Sequence, residues 1–146
     1  MKRSTIIELA CAVFILLFVY TGTTKLMGRQ TFAINLEQSP LLAGYATIIS
    51  WLLPIAELVI AVLLFLPPTR KAGLYAFVVL LVIFSGYIVY MLVYAPRLPC
   101  SCGGVVGFLT WRQHLLLNGL LIVVGSTGLL QYKKIKGRKL KTFIKE

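Results

Sequence analysis

The sequence predicts an all-α fold, a single bundle of four membrane-spanning helices. Of its 146 residues, 59% are hydrophobic and 13% are charged, whereas globular chains average roughly 45–50% apolar and about 25% charged residues. Four apolar runs have about the 17–25 residues that a helix needs to cross a hydrocarbon core of ~30 Å. We predict helices at about residues 6–24, 40–66, 72–94 and 111–132. Residues 1–132 then form the membrane domain, and residues 133–146 form a basic tail.

The placement of the basic residues predicts the orientation of the bundle. The net charge is +11, and eleven of the fifteen Lys and Arg residues lie at the N-terminus, in the second connection or in the tail. Because positively charged loops stay on the cytoplasmic side, both termini are expected to be cytoplasmic. The tail is expected to lie against anionic headgroups. This distribution argues against a nucleic-acid partner, and we predict none.

The predicted helices differ in how clearly the sequence marks their starts. Lys2-Arg3 before an apolar run is also typical of a signal peptide, but an uncleaved first helix is expected since no good cleavage site follows Tyr20. Ser39-Pro40 predicts the start of the second helix, because serine is a favoured N-cap residue and proline fits the first helical position. Residues 27–38 are too apolar for a free loop, and we expect them to lie on the bundle or the membrane surface.

Two charged residues within or beside the apolar runs are candidate site residues. Glu57 lies about midway along the second run, three residues after Pro54. An ionisable group at this depth is costly and is expected to face the bundle interior. Its alternative role is to satisfy the backbone group that Pro54 leaves open. Lys25 lies at the outer end of the first helix, either as a snorkelling side chain or as a positive charge beside a thiolate.

The segment Pro99-Cys100-Ser101-Cys102-Gly103-Gly104 is the most informative motif of the chain. It lies between the third and fourth helices, and the predicted orientation places it outside the cytoplasm, where cysteines are commonly oxidised in bacteria. A bridge between cysteines one residue apart departs from ordinary disulfide geometry. Strained and exposed disulfides belong to the labile, catalytic class, and the Gly103-Gly104 pair would admit the tight turn. Cys100 and Cys102 are therefore candidate redox residues.

The predicted fourth helix carries polar residues near its outer end. Trp111 is expected to anchor it at the interface. His114 and Asn118 are four residues apart and so share one face. An imidazole near the cysteines can lower a thiol pKa and raise the thiolate fraction. His114 is thus predicted to tune or shuttle protons, with Asn118 orienting it.

Three interpretations of the cysteine loop remain open at this stage. The first is thiol–disulfide exchange through Cys100 and Cys102, and the second is a bridge that only shapes a scaffold for a redox or secreted partner. The third is a site for a soft ion such as Cu(I), held by two thiolates and His114. A zinc site would need a fourth ligand that the sequence does not offer. We predict no cofactor and no dedicated metal site.

Several of these residues form patterns that resemble known membrane proteins. The order Gly22-x-x-Lys25 and then Pro54-x-x-Glu57-Leu58 is similar to the DoxX-like membrane proteins. The Cys-x-Cys loop before Trp111-x-x-His114-x-x-x-Asn118 resembles the branch named for the methylamine utilisation protein MauE. The likeness covers about residues 6–132 and leaves out the basic tail.

The resemblance implies a redox-associated, multi-pass protein of the bacterial inner membrane. It implies a part in disulfide formation or handling outside the cytoplasm, together with a thioredoxin-like or other disulfide-bearing partner. The namesake supports maturation of a disulfide-rich periplasmic dehydrogenase subunit, but nothing in these residues points to that client here. The chain lacks the second cysteine pair of membrane oxidoreductases that pass electrons to quinone.

Overall fold

The structure, a computed structural model, consists of long helices, and it describes residues 3–95 and 109–144, with side chains for residues 5–95, 109–132 and 134. Within this part of the chain there are five α-helices and no strand. They are α1 (Arg3–Met27), α2 (Arg29–Glu37), α3 (Ala46–Phe65), α4 (Arg70–Tyr94) and α5 (Trp111–Ile144), and a short 3-10 helix (Ala43–Tyr45) precedes α3.

The prediction of four membrane-spanning helices is confirmed. Four segments are long and apolar enough to cross a bilayer: Thr5–Met27, Ala43–Phe65, Arg70–Tyr94 and Trp111–Tyr132. The outward faces carry many exposed large apolar side chains, such as Leu16, Phe65 and Leu116. A soluble monomer rarely exposes so much contiguous apolar surface, and a lipid bilayer is its natural solvent. The orientation of the bundle stays a prediction.

The core of the bundle lies where α1, α3 and α4 meet. Phe14 of α1 stacks on Phe77 of α4 with ring centroids 4.2 Å apart, and Phe18 lies 4.7 Å from the same ring. Both Phe14 and Phe77 are buried, as is Cys11 one turn earlier in α1. Aromatic pairs in this distance range stabilise a core beyond the area that they bury.

A short turn makes α3 and α4 antiparallel neighbours. The Thr69 hydroxyl donates to the carbonyl of Leu63 at 3.0 Å, and Arg70 Nε donates to the carbonyl of Leu64 at 3.1 Å. These bonds satisfy carbonyls that the end of a helix leaves without partners. A Cβ atom on Gly73 would lie 2.8 Å from the backbone nitrogen of Leu64, so only glycine permits this close approach.

The segment between α1 and α3 is more ordered than the sequence predicts. It contains α2, whose buried Phe32 and Leu36 pack with Ala46 at the start of α3. This agrees with the expectation that residues 27–38 lie on the bundle. The prediction that Ser39 caps the second helix is wrong, because α3 begins at Ala46 with no side-chain cap. The Ser39 hydroxyl is instead buried and donates to Met91 Sδ of α4 at 3.5 Å.

One end of the bundle contains the end of α1, the start of α3, the end of α4 and the start of α5. We call it the α4–α5 end, since residues 95–110 connect those two helices. At the opposite end, the helical backbone of α5 continues to Ile144, through most of the predicted basic tail.

Candidate functional site

A buried ion pair lies between α1 and α3, toward the α4–α5 end. Lys25 Nζ donates to Glu57 Oε1 at 2.6 Å, and the two side chains are 9% and 8% exposed. The Thr21 hydroxyl donates to the other carboxylate oxygen, Oε2, at 3.3 Å. Both oxygens of Glu57 therefore have donors, which a buried carboxylate requires. Lys25 is not a snorkelling side chain but the partner of Glu57.

The backbones of α1 and α3 come close enough for this pair because of Gly22. A Cβ atom there would lie 3.1 Å from Leu58 Cγ and 3.1 Å from the Pro54 carbonyl oxygen. The glycine lies one residue after Thr21 and three before Lys25. The Gly22-x-x-Lys25 and Pro54-x-x-Glu57-Leu58 patterns thus meet at one helix contact, where small residues allow close packing in membranes.

Two polar residues of α5 face this pair from the other side of the bundle. Asn118 is 4% exposed, and His114 lies one turn nearer the start of α5. The His114 ring is packed edge-on against Phe84 of α4, with centroids 5.8 Å apart. His114 Nδ1 and Asn118 Nδ2 are buried and have no hydrogen-bond partner among the described residues.

A small cavity joins the two groups of polar residues. Its volume is about 50 Å³, and it lies between α1 and α3 on one side and α5 on the other. The polar residues that line it are Thr21, Lys25, Glu57, His114 and Asn118. Its apolar walls come from α1, α4 and α5 and include Phe18, Phe84 and Leu121.

The structure thus gathers four of the nine predicted site residues: Lys25, Glu57, His114 and Asn118 line the cavity. Trp111 begins α5 but does not line it. Cys100, Cys102, Gly103 and Gly104 lie outside the described residues. The predicted orientation of His114 by Asn118 is not made through Nδ1 and Nδ2, because neither atom has a partner in the part of the chain that the structure describes.

Sequence reasoning missed Thr21 and the pairing of Lys25 with Glu57. The sequence offered one signal, which is the equal spacing in the two patterns. Gly22 lies three positions before Lys25, and Pro54 lies three positions before Glu57. That signal is weak, since spacing along two separate helices does not reveal their relative height.

The chemistry available at this site is proton transfer and electrostatic stabilisation. The amine of Lys25, the carboxyl group of Glu57 and the imidazole of His114 line one cavity, and ionisable groups within a membrane-spanning bundle commonly mark functional sites. Within the part of the chain that the structure describes, no three His, Cys, Asp or Glu side chains are grouped to hold a metal ion.

The fold and the cavity together define a class: a multi-pass membrane protein with a polar site enclosed at one end of a four-span bundle. The model of the family described as methylamine utilisation protein MauE matches residues 3–131, most of the chain. The chain therefore belongs to the MauE family. No curated protein and no solved structure matched it. The DoxX-like similarity stays a resemblance.

Proposed function

We propose that this MauE-family protein takes part in extracytoplasmic thiol–disulfide exchange, or in disulfide maturation of a partner protein, through Cys100 and Cys102. It would act as a component of a thiol–disulfide oxidoreductase system in the bacterial inner membrane. The partner would be a thioredoxin-like or other disulfide-bearing protein outside the cytoplasm. Membership of the family and the two closely spaced cysteines support this proposal.

The observation that carries the proposal is the buried polar site at the α4–α5 end. The cysteines belong to the connection between α4 and α5, and His114 follows that connection within the first turn of α5. His114 Nδ1 has no partner among the described residues, so the ring nitrogen is available to accept or donate a proton. Thiol exchange needs such a base, because the thiolate and not the thiol is the nucleophile.

The ion pair supports one division of roles among the charged residues. Lys25 is engaged by Glu57 at 2.6 Å, so its positive charge is compensated. We therefore assign the proton-transfer role to His114 and a structural and electrostatic role to the Lys25–Glu57 pair. Either cysteine could attack the partner's disulfide. Gly103 and Gly104 would leave room for the partner chain, and Trp111 would anchor α5 at the interface.

The proposal is tested by trapping the exchange intermediate in cells. A Cys100→Ser or Cys102→Ser variant leaves one thiol that cannot resolve a mixed disulfide, so one of the two is expected to accumulate a reductant-sensitive adduct with its partner. Acid quenching, alkylation and electrophoresis with and without reductant would detect the adduct. The matched control is Cys11→Ser, which changes a buried cysteine within α1 and is expected to trap nothing.

The double variant Cys100→Ser/Cys102→Ser separates the proposal from the alternatives. Under thiol exchange, it abolishes the adduct and the oxidation of client proteins in the host. Full client oxidation by the double variant would overturn the proposal and favour a scaffold. Stoichiometric copper in protein purified without chelators, lost in the double variant, would favour metal handling instead.

A further inference from the structure

Polar atoms beside the cavity need hydrogen-bond partners that an apolar bundle does not offer. His114 Nδ1 and Asn118 Nδ2 are both buried, and neither has a hydrogen-bond partner among the described residues. Leaving a buried donor or acceptor unsatisfied costs roughly 1–3 kcal/mol, and in a bilayer no lipid tail can supply the missing partner. The two atoms belong to residues that line the same cavity, so one polar occupant can satisfy both.

The size of the cavity limits that occupant to a very small molecule. Its volume is about 50 Å³, whereas organic ligands occupy pockets of roughly 300–1,000 Å³. A water molecule needs only about 10–15 Å³ of such volume and two to four polar partners. The cavity therefore has room for a few waters, roughly three to five at most by that measure.

The charges around the cavity favour a neutral occupant over an ion. Lys25 and Glu57 are 2.6 Å apart and cancel each other's charge. A small anion would meet the Glu57 carboxylate, and a small cation would meet the Lys25 ammonium. Water both donates and accepts, so it can accept from Asn118 Nδ2 while it donates to a carboxylate oxygen or an imidazole nitrogen.

The packing of the helices explains why the space is there. Helix α1 packs mainly on α3, and α5 packs mainly on α4, while α1 and α5 share a smaller contact. The cavity lies between these two helix pairs, with His114 on one side and Glu57 on the other. Water in this position would join the imidazole to the buried carboxylate.

We propose that the cavity is a hydrated proton-transfer site, in which water bound by His114 and Asn118 connects the imidazole to the Lys25–Glu57 pair. Water binding stands apart from any thiol chemistry. The use of the site as a temporary proton store rests on the proposed function.

The site neither gains nor loses a proton over one complete round of thiol exchange. When a cysteine S–H bond breaks, the imidazole of His114 takes the proton and the thiolate attacks the partner's disulfide. The proton stays on the ring, and the cavity water joins the imidazolium to the Glu57 carboxylate, whose negative charge stabilises it. When the partner's leaving thiolate is protonated, the steps run backwards, and no proton or electron remains on the site.

The chain offers a direct probe, because His114 is its one histidine. The full chain is labelled with ¹⁵N-histidine, placed in lipid bilayers and studied by solid-state NMR with magnetisation transferred from water protons. We expect a water signal at His114 Nδ1 in the wild type. Absence of that signal from well-ordered wild-type protein would overturn the hydrated site, and this readout does not depend on any variant.

Variants then test the contacts of the water. Asn118→Leu keeps a similar volume without the amide and is expected to abolish the water signal. Thr21→Val removes a hydroxyl from the opposite wall and is expected to shift the imidazole ¹⁵N resonances. Thr127→Val is the matched control, since the Thr127 hydroxyl donates within α5, to the carbonyl of Val124 at 2.8 Å, and does not line the cavity. An unchanged water signal in a folded Asn118→Leu protein would contradict the proposal.

The link to the carboxylate has its own test. Glu57→Gln keeps the shape but removes the negative charge, so we expect the water signal to persist while the imidazole ¹⁵N resonances shift. Resonances unmoved by Glu57→Gln would overturn the water-mediated link to Glu57. A positive NMR result combined with no mixed disulfide in cells would leave the hydrated site in place and overturn the thiol-exchange function alone.

Discussion

Lys25 and Glu57 stabilise each other as an ion pair, and either charge buried without the other would destabilise the folded bundle. The side chains are 9% and 8% exposed, and the nitrogen and oxygen are 2.6 Å apart. Desolvation of two charges largely offsets their attraction, so the intact pair adds little net stability. Loss of one partner, however, leaves an uncompensated buried charge. The pair therefore acts as a constraint on how α1 and α3 align.

This reasoning predicts a strong non-additivity between two substitutions. Lys25→Met should lower the free energy of unfolding by about 3–5 kcal/mol, because Glu57 is left buried without its counter-ion. Adding Glu57→Gln should recover most of that loss. Unfolding of the purified variants by denaturing detergent in mixed micelles would measure both. Lys71→Met, which changes an exposed lysine at the other end of the bundle, is the control, and simple additivity of the two substitutions would refute the prediction.

The contact between α1 and α3 depends on the absence of a side chain at Gly22. A Cβ atom there would already lie 3.1 Å from Leu58 Cγ and from the Pro54 carbonyl oxygen. Any larger side chain must push the two helices apart, and the ion pair next to it would then lengthen. The element that positions the site is therefore a close helix contact rather than a loop.

We expect Gly22→Leu to destabilise the bundle by about 1–3 kcal/mol, the usual cost of overpacking. Because the ion pair is disturbed as well, Gly22→Leu and Lys25→Met should be less than additive. Gly119→Leu is the matched control, since a Cβ atom at Gly119 meets nothing within 4 Å. The same detergent-unfolding assay applies, and equal effects of the two glycine substitutions would show that the close contact is unimportant.

Helix α2 is held to the bundle by one apolar face. Phe32 and Leu36 are buried against Ala46, and Arg29 lies over the Trp51 ring at 4.8 Å from its centroid. The helix is only nine residues long, and isolated helices of that length are unstable in water. Its order therefore depends on these tertiary contacts.

Phe32→Ala should detach α2, because removing a buried phenylalanine typically costs about 3–5 kcal/mol. Amide hydrogen exchange across residues 29–37 should accelerate while exchange in α1 and α3 stays slow. Ile34→Ala is the control on the same helix, since Ile34 is 50% exposed. Uniform acceleration across α1, α2 and α3 would mean that α2 is not a separable element.

At the scale of the whole molecule, the predicted orientation has direct consequences for labelling. With both termini in the cytoplasm, exposed Gln38 lies outside and exposed Pro68 lies inside. In a chain whose own cysteines are replaced by serine, Gln38→Cys should react with a membrane-impermeant thiol reagent in intact cells. Pro68→Cys should react only after the cells are lysed. The reverse pattern would place Cys100 and Cys102 in the cytoplasm and remove the basis for extracytoplasmic exchange.

The division into a membrane domain, residues 1–132, and a basic cytoplasmic tail, residues 133–146, stays a proposal. The backbone of α5 runs without interruption from Trp111 to Ile144. We infer that the tail is a helical extension of the fourth span rather than a separate unit. Seven of its residues are Lys or Arg, which suits contact with an anionic membrane surface.

The spanning helices could be predicted because a bilayer allows few solutions. Backbone polar groups must be satisfied within the segment, so a long apolar run has to be a helix. The ends were less accurate: α1 continues to Met27, beyond the predicted end, and α3 begins at Ala46, after the expected start. Ser39 was expected to cap the second helix, but its hydroxyl instead makes a buried hydrogen bond to Met91 of α4. Tertiary packing therefore outweighed the local preference of serine for a helix cap.

The sequence by itself determined the class of the protein, its four spans and the residue types that can carry chemistry, since each depends on local composition or on short motifs. It also pointed to Glu57 as an interior residue, because depth in an apolar run is readable along the chain. Only the tertiary structure decided that Glu57 pairs with Lys25, that Thr21 completes the pair, and that His114 and Asn118 face the same cavity. These relations depend on the relative height and rotation of separate helices, which are set by close contacts such as Gly22 against Pro54 and Leu58.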